Sequence, residues 1–185
     1  RDMKLVLGYE LPLVIALLVA VFQRRTVDGQ EMAAATSSLE GLVRFQETAG
    51  AVLYRPSGVL ALLVAVVCCH AKLGFVPFDQ AEADTEIAEG ALIEYSGPPL
   101  ALVKLTQAVQ LATLPVLLVT VFWGGVETTP AGLAAFAAKV LLVLVTFVLV
   151  KNTNPRVRID QALRFFWGPV TGVAVVALVL ARMGW

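Results

Sequence analysis

Charge is scarce in this chain. Asp, Glu, Lys and Arg make up 15% of its 185 residues, while 58% are hydrophobic and the mean hydropathy is +0.82. Soluble domains average about a quarter charged residues, so a soluble globular fold is excluded and a multi-pass membrane protein is expected. The formal net charge is zero, so nothing in the charge balance points to a nucleic-acid partner. Cysteine is scarcer still. The two present, Cys68 and Cys69, are adjacent in an apolar run, where a helix turns neighbours apart, and two thiols fall short of the four a typical iron–sulfur cluster needs. The one histidine, His70, has no second histidine and no ligand-spaced cysteine. It reads as packing near a helix end, so no metal site and no redox cofactor bound by this chain are expected. The sequence opens on Arg1, in a charged turn before an apolar run, without a signal-peptide pattern. It is expected to be a fragment of a longer chain.

Five apolar segments stand between the polar stretches, at about 5–22, 57–75, 100–123, 133–150 and 166–181. A bilayer core takes ~20 helical residues, and open strands in lipid leave backbone groups unpaired. The expectation is therefore an all-α polytopic transmembrane helix bundle, one membrane domain over 1–185, with an acidic cytoplasmic loop at 76–99. Pro12, Pro115 and Pro169 fall inside spans, where kinks are tolerated. The basic residues set the orientation. Arg1, Lys4, Lys72, Lys151, Arg156, Arg158 and Arg164 lie on the side read as cytoplasmic, and Arg24, Arg25, Arg44, Arg55 and Arg182 on the other. The 23–55 connection mixes charged and apolar residues in a way that suits a short amphipathic surface helix.

Basic residues are also missing from one long window, between Lys72 and Lys104, and that window holds six of the fourteen acids: Asp79, Glu82, Asp84, Glu86, Glu89 and Glu94. Asp79, Glu82, Glu86 and Glu89 are spaced to share one helical face, and Gly90 follows as a stop signal. Like charges at these spacings repel. One reading is a set of carboxylates that share, store and relay protons beside the bilayer; the other is an ordinary solvated acidic helix. Three ionisable residues fall within the spans themselves. Glu10 and Lys104 are near enough to helix ends to reach water, whereas Lys139 is deep, and intramembrane charges usually face the bundle interior. Lys104, Gln107 and Gln110 form a drifting polar stripe, and Lys139 is a candidate counter-ion for a carboxylate.

The stretch PFDQAEADTEIAEGALIEYSG, residues 77–97, resembles the signature of the membrane subunit that anchors the hydrophilic arm of respiratory complex I, its subunit 1 or H-type subunit. The same family serves the group 4 energy-converting NiFe hydrogenases and formate hydrogenlyase. Tyr9–Glu10, VFWGG at 121–125, Lys139 and NPRVRIDQALRFFW at 154–167 extend the resemblance over nearly the whole chain. It implies a subunit of eight transmembrane helices when complete, of which these would be the last five. It implies a multi-pass protein of the prokaryotic cell membrane, with the acidic loop packed under soluble subunits that hold the iron–sulfur clusters and a NiFe centre or quinone site, beside antiporter-like membrane subunits. Asp79, Glu82, Asp84, Glu86 and Glu94 fall on acidic positions of the motif, and Glu89 on a variable one. Glu10 and Lys139 would lie on an intramembrane ion path, and Arg156, Arg158 and Asp160 would dock a partner. EGALIEYSGPPLALVKL, residues 89–105, is more similar to the hydrogenase branch. The complex I branch has a Glu near the position of Gln107, where this chain has Lys104 one turn earlier. The implied function is membrane anchor and ion-coupling subunit of a hydrogenase-type complex. The alternatives are the quinone-site subunit of a NADH- or ferredoxin-driven complex and a free-standing transporter, which inverted repeats would favour and of which none is seen.

Overall fold

The computed structural model describes residues 2–28, 39–79, 97–126 and 129–184, and among them every regular element is helical. Helix α1 is Asp2–Asp28, α2 is Leu39–Ala49 and α3 is Pro56–Lys72. Helix α4, Pro98–Trp123, α5, Pro130–Thr153, and α6, Ile159–Arg182, complete the set. α1, α4, α5 and α6 are each long and apolar enough to cross a membrane, and α3 is a shorter apolar helix. At 17 residues and ~1.5 Å of rise per residue, α3 falls a few ångströms short of a ~30 Å hydrocarbon core.

The centre of the bundle is α1, α3 and α6, which make the most extensive mutual contacts. They approach closely because their facing positions are small. Ala16 and Ala20 on α1, Ala61 and Ala65 on α3, and Ala174, Ala177 and Ala181 on α6 are all fully buried. Small residues at such spacings let membrane helices pack backbone to backbone where lipid gives no hydrophobic drive. A buried hydrogen bond from Gln23 Nε2 to Ser57 Oγ joins α1 to α3. α3 starts on Pro56, whose missing N–H costs nothing in a first turn, and Gly58 lets that turn lie against the Val52 carbonyl, which any Cβ would strike.

Four of the five expected segments are trimmed to their apolar residues, and their helices run further; the second, expected at 57–75, is helical only over Pro56–Lys72, because the chain turns away at Gly74. α6 begins at Ile159, so Asp160 and Arg164 stand on its first turns and the connection before it is only 154–158. An acidic first turn suits the positive end of a helix dipole, which is why the helix continues past the apolar boundary. Two spans carry π-helical turns, Val119–Trp123 closing α4 and Phe166–Val170 within α6. The second contains Pro169, and the Thr171 hydroxyl donates to the Phe166 carbonyl at 2.6 Å. That carbonyl also accepts from the Thr171 N–H, so the hydroxyl adds a second bond at the π-turn.

α4 and α5 pack at the flank. Little of α5 is covered, and Leu133, Leu141, Leu142 and Leu149 are each more than half exposed. An apolar face of this size is a surface for lipid or for another transmembrane helix. Connectivity gives the bundle two ends. The start of α1, residues 73–79 and the 154–158 segment share one. Residues 50–55, the Gly124–Gly125 turn and the end of α6 share the other.

Candidate functional site

At the first end, the entry to the acidic stretch is clamped. After α3 the chain turns at Gly74, whose φ of +64° suits a residue without a Cβ, and folds back beneath the helix. His70 Nε2 donates to the Val76 carbonyl at 2.7 Å. The next peptide, Val76–Pro77, is cis, and the Pro77 carbonyl accepts a hydrogen bond from Val157 N at 3.2 Å. Two residues on, Asp79 Oδ2 pairs with Arg156 Nη2 at 3.0 Å. Asp79 is buried, and its second oxygen, Oδ1, is enclosed without a hydrogen-bond partner among the described residues. Aromatic rings surround the joint. Phe78 lies 4.9 Å from the Phe166 ring and 6.2 Å from Phe165, His70 contacts Phe75, Phe78 and Phe147, and the Lys151 ammonium stands 4.4 Å over Phe75. Asp79 is enclosed while Arg156 stays partly open to solvent, so the pair is screened less than one in water and more than a fully buried one.

The expected site residues therefore separate into groups. Asp79 and Arg156 are brought together. Arg158 is exposed, its backbone N–H donating to Gln161 Oε1 at 3.4 Å to start α6, and Asp160 is exposed on the turn that follows. Glu82, Asp84, Glu86, Glu89 and Glu94, with the expected acidic helix, lie outside the described residues. Glu10 sits on the same half of the bundle, 3.8 Å from Lys72 Nζ across the α1–α3 interface, while its neighbour Tyr9 is buried against Phe166. Lys104 is exposed on α4 and is ion-paired with no described carboxylate.

Lys139 belongs to the opposite end. Its Nζ donates to the Trp123 carbonyl at 3.1 Å and lies 5.9 Å from the centre of that indole. The expectation of a carboxylate counter-ion gives way, among the described residues, to a carbonyl. The reason is geometric, since α4 ends where α5 passes it, and its last carbonyls have no intrahelical donor. Gln46, from the buried face of α2, serves the same helix end, its Nε2 donating to Thr120 O and Val121 O at 3.1 Å each. A cavity of about 200 Å³ adjoins these groups, lined by Gln46, Glu47, Gly50, Ala51, Tyr54, Trp123, Gly124, Gly125 and Lys139.

Sequence reasoning missed Gln46, Lys72 and the His70–Val76 contact. Gln46 had a signal, being a polar residue among Leu42 and Phe45 on the face that packs inward. His70 and Lys72 had none beyond their position in the last turn of a span.

An all-helical bundle with apolar outer faces, polar ends and an ion pair with one buried partner at the root of an acidic segment defines a polytopic membrane subunit. The chain belongs to the NADH dehydrogenase family, whose model matches residues 1–182; this is the family of the H-type membrane subunits of complex I. It is 30% identical over 182 residues to the H-type subunit of NADH-quinone oxidoreductase from Anoxybacillus flavithermus, covering 96% of this chain and 51% of that protein. It is 30% identical over 174 residues to the corresponding NADH-quinone oxidoreductase protein of Dehalococcoides mccartyi, covering 94% and 45%. The chain thus spans about half the length of the curated relatives it matches. Among solved structures it is similar to a chain of the membrane-bound sulfane sulfur reductase, an archaeal respiratory membrane complex, with a TM-score of 0.83 and 27% identity over 98% of this chain and 58% of that one.

Proposed function

We propose that this chain is part of a membrane subunit that docks a soluble redox module of a respiratory-type complex and links electron transfer to ion movement. The observation that carries the reading is the clamp at the root of the acidic stretch. Asp79–Arg156 and Pro77–Val157 tie the start of that stretch to the segment before α6. A load felt by either segment from a docked partner passes to the other and to α6, α3 and α1 beneath them. The acids from Glu82 to Glu94 then stand where a partner and the bilayer meet, on the cytoplasmic side of a prokaryotic cell membrane. Iron–sulfur clusters and the terminal redox site belong to the partner subunits, and antiporter-like subunits continue the membrane arm.

Within that class the hydrogenase or formate-hydrogenlyase type is the finer reading, supported by Lys104 and Gln107 where the quinone branch carries its Glu. The second reading, a quinone-site subunit, is supported by the similarity to the H-type subunits of NADH-quinone oxidoreductase. Purification of the native assembly separates them. A co-purifying large soluble subunit with four metal-ligating cysteines is expected for the hydrogenase type, and one lacking them, with quinone reduction, for the second. Isolation of the subunit from native membranes with no soluble redox subunit attached overturns both.

A further inference from the structure

The cavity beside Lys139 lies at the end of the bundle away from the acidic stretch, and nothing in the proposed docking role uses it. Lys139 is the tenth residue of α5, about 13 Å from the helix start at ~1.5 Å per residue, so it lies well within the span. Yet its ammonium lines a space of about 200 Å³, where a water molecule needs only ~10–15 Å³ by the same kind of measure. The walls mix polar and apolar groups. Gln46 spends both hydrogen bonds of its amide nitrogen on Thr120 O and Val121 O, so its orientation is fixed. That leaves Oε1 buried without a partner among the described residues, in a residue only 6% exposed. Glu47 is exposed and also lines the space, which places the cavity's mouth at the aqueous boundary. Glu47 and Tyr54 are the other titratable groups on its walls among the described residues.

We infer that this cavity is a water-filled vestibule through which the Lys139 side chain is open to the aqueous phase on the Gly124–Gly125 side. The Trp123 carbonyl holds the nitrogen at the vestibule wall. The inference deepens the ion-coupling reading, naming the side of the membrane with which the deep lysine communicates, and its test is chemical access rather than pumping.

The experiment uses membrane vesicles carrying the full native assembly with Cys68 and Cys69 replaced by Ala. Lys139→Cys is treated with a membrane-impermeant thiol reagent, a charged methanethiosulfonate, from one side at a time. Labelling from the Gly124 side at least tenfold faster than at Leu141→Cys, an exposed position on the apolar surface of α5, is the expected result. Equal rates at the two positions, or reaction only from the opposite side, overturn the inference. Ala51→Cys provides a second arm that leaves Lys139 in place. Its preference for anionic over cationic reagent is expected to fall at least threefold when Lys139→Gln is added, because the ammonium faces the same water. An unchanged preference overturns the inference whatever happens to turnover or pumping. Failure of the docking reading would show instead as absence of a soluble redox subunit, with the labelling pattern intact.

Discussion

Replacing Arg156 by Gln probes the clamp directly. The guanidinium lies 3.0 Å from an Asp79 side chain that is 11% exposed, and is itself 38% exposed. Removing one partner of a fully buried pair costs ~3–5 kcal/mol, because the remaining charge is stranded. Exposed pairs contribute ~0–1 kcal/mol. With one buried and one partly wetted partner, the cost here lies between these limits, about 1–3 kcal/mol, and it falls on local opening of residues 75–79. At ~1.4 kcal/mol per factor of ten, the open population rises about 5- to 150-fold. A glutamate-specific protease reads this in the solubilised assembly, since Glu82, Glu86, Glu89 and Glu94 follow the clamp. Under conditions where reclosing outpaces cleavage, the rate tracks the open population. Asp79→Asn is expected to cost less, about 1 kcal/mol, because Arg156 can turn to water. The double variant is expected to be less impaired than the sum of the singles by at least ~1 kcal/mol. A cleavage rate for Arg156→Gln within twofold of wild type, or single effects that add within ~0.5 kcal/mol, refutes the idea that this pair anchors the acidic stretch.

Further outcomes follow from the packing. Gly58→Ala sets a methyl against the Val52 carbonyl and is expected to lose about 1–3 kcal/mol, read as a lower midpoint of thermal aggregation in detergent; an unchanged midpoint refutes the close approach. Phe166→Ala empties a fully buried position that contacts Tyr9 and Phe78, with an expected loss of about 3–5 kcal/mol and faster protease attack beyond Asp79; stability within about 1 kcal/mol of wild type contradicts it. Gln46→Leu strips two donors from the end of α4 and is expected to destabilise by about 1–3 kcal/mol, whereas Glu47→Gln, at an exposed position, is expected to change stability by less than about 0.5 kcal/mol.

The bundle is legible in the sequence because composition and segment length act over many residues at once. Hydropathy finds the cores of all five apolar helices, and the crossing of α1, α3 and α6 follows from alanines whose importance appears only when the helices meet. What the chain order does not disclose is which polar residue meets which. Asp79 and Arg156 are separated by two spans, so spacing gives no sign of their pairing. Lys139 reads as half of an ion pair because an isolated intramembrane ammonium needs a partner, and among the described residues the open carbonyl of Trp123 is the one it meets. The start of α6 lies earlier than its apolar boundary because a charged turn reads as a loop, although helical hydrogen bonding continues through it. The acidic signature carries the family and tells nothing of its own geometry.

The central claim, that the acids after the clamp link redox turnover to ion movement, is tested most directly in the assembled complex. Glu82→Gln, Glu86→Gln and Glu94→Gln are each reconstituted, and turnover and ion uptake are measured in the same vesicles. The account predicts intact assembly and continued turnover with ion uptake lost or sharply reduced in at least one variant. Turnover and uptake both at wild-type levels in all three would contradict it.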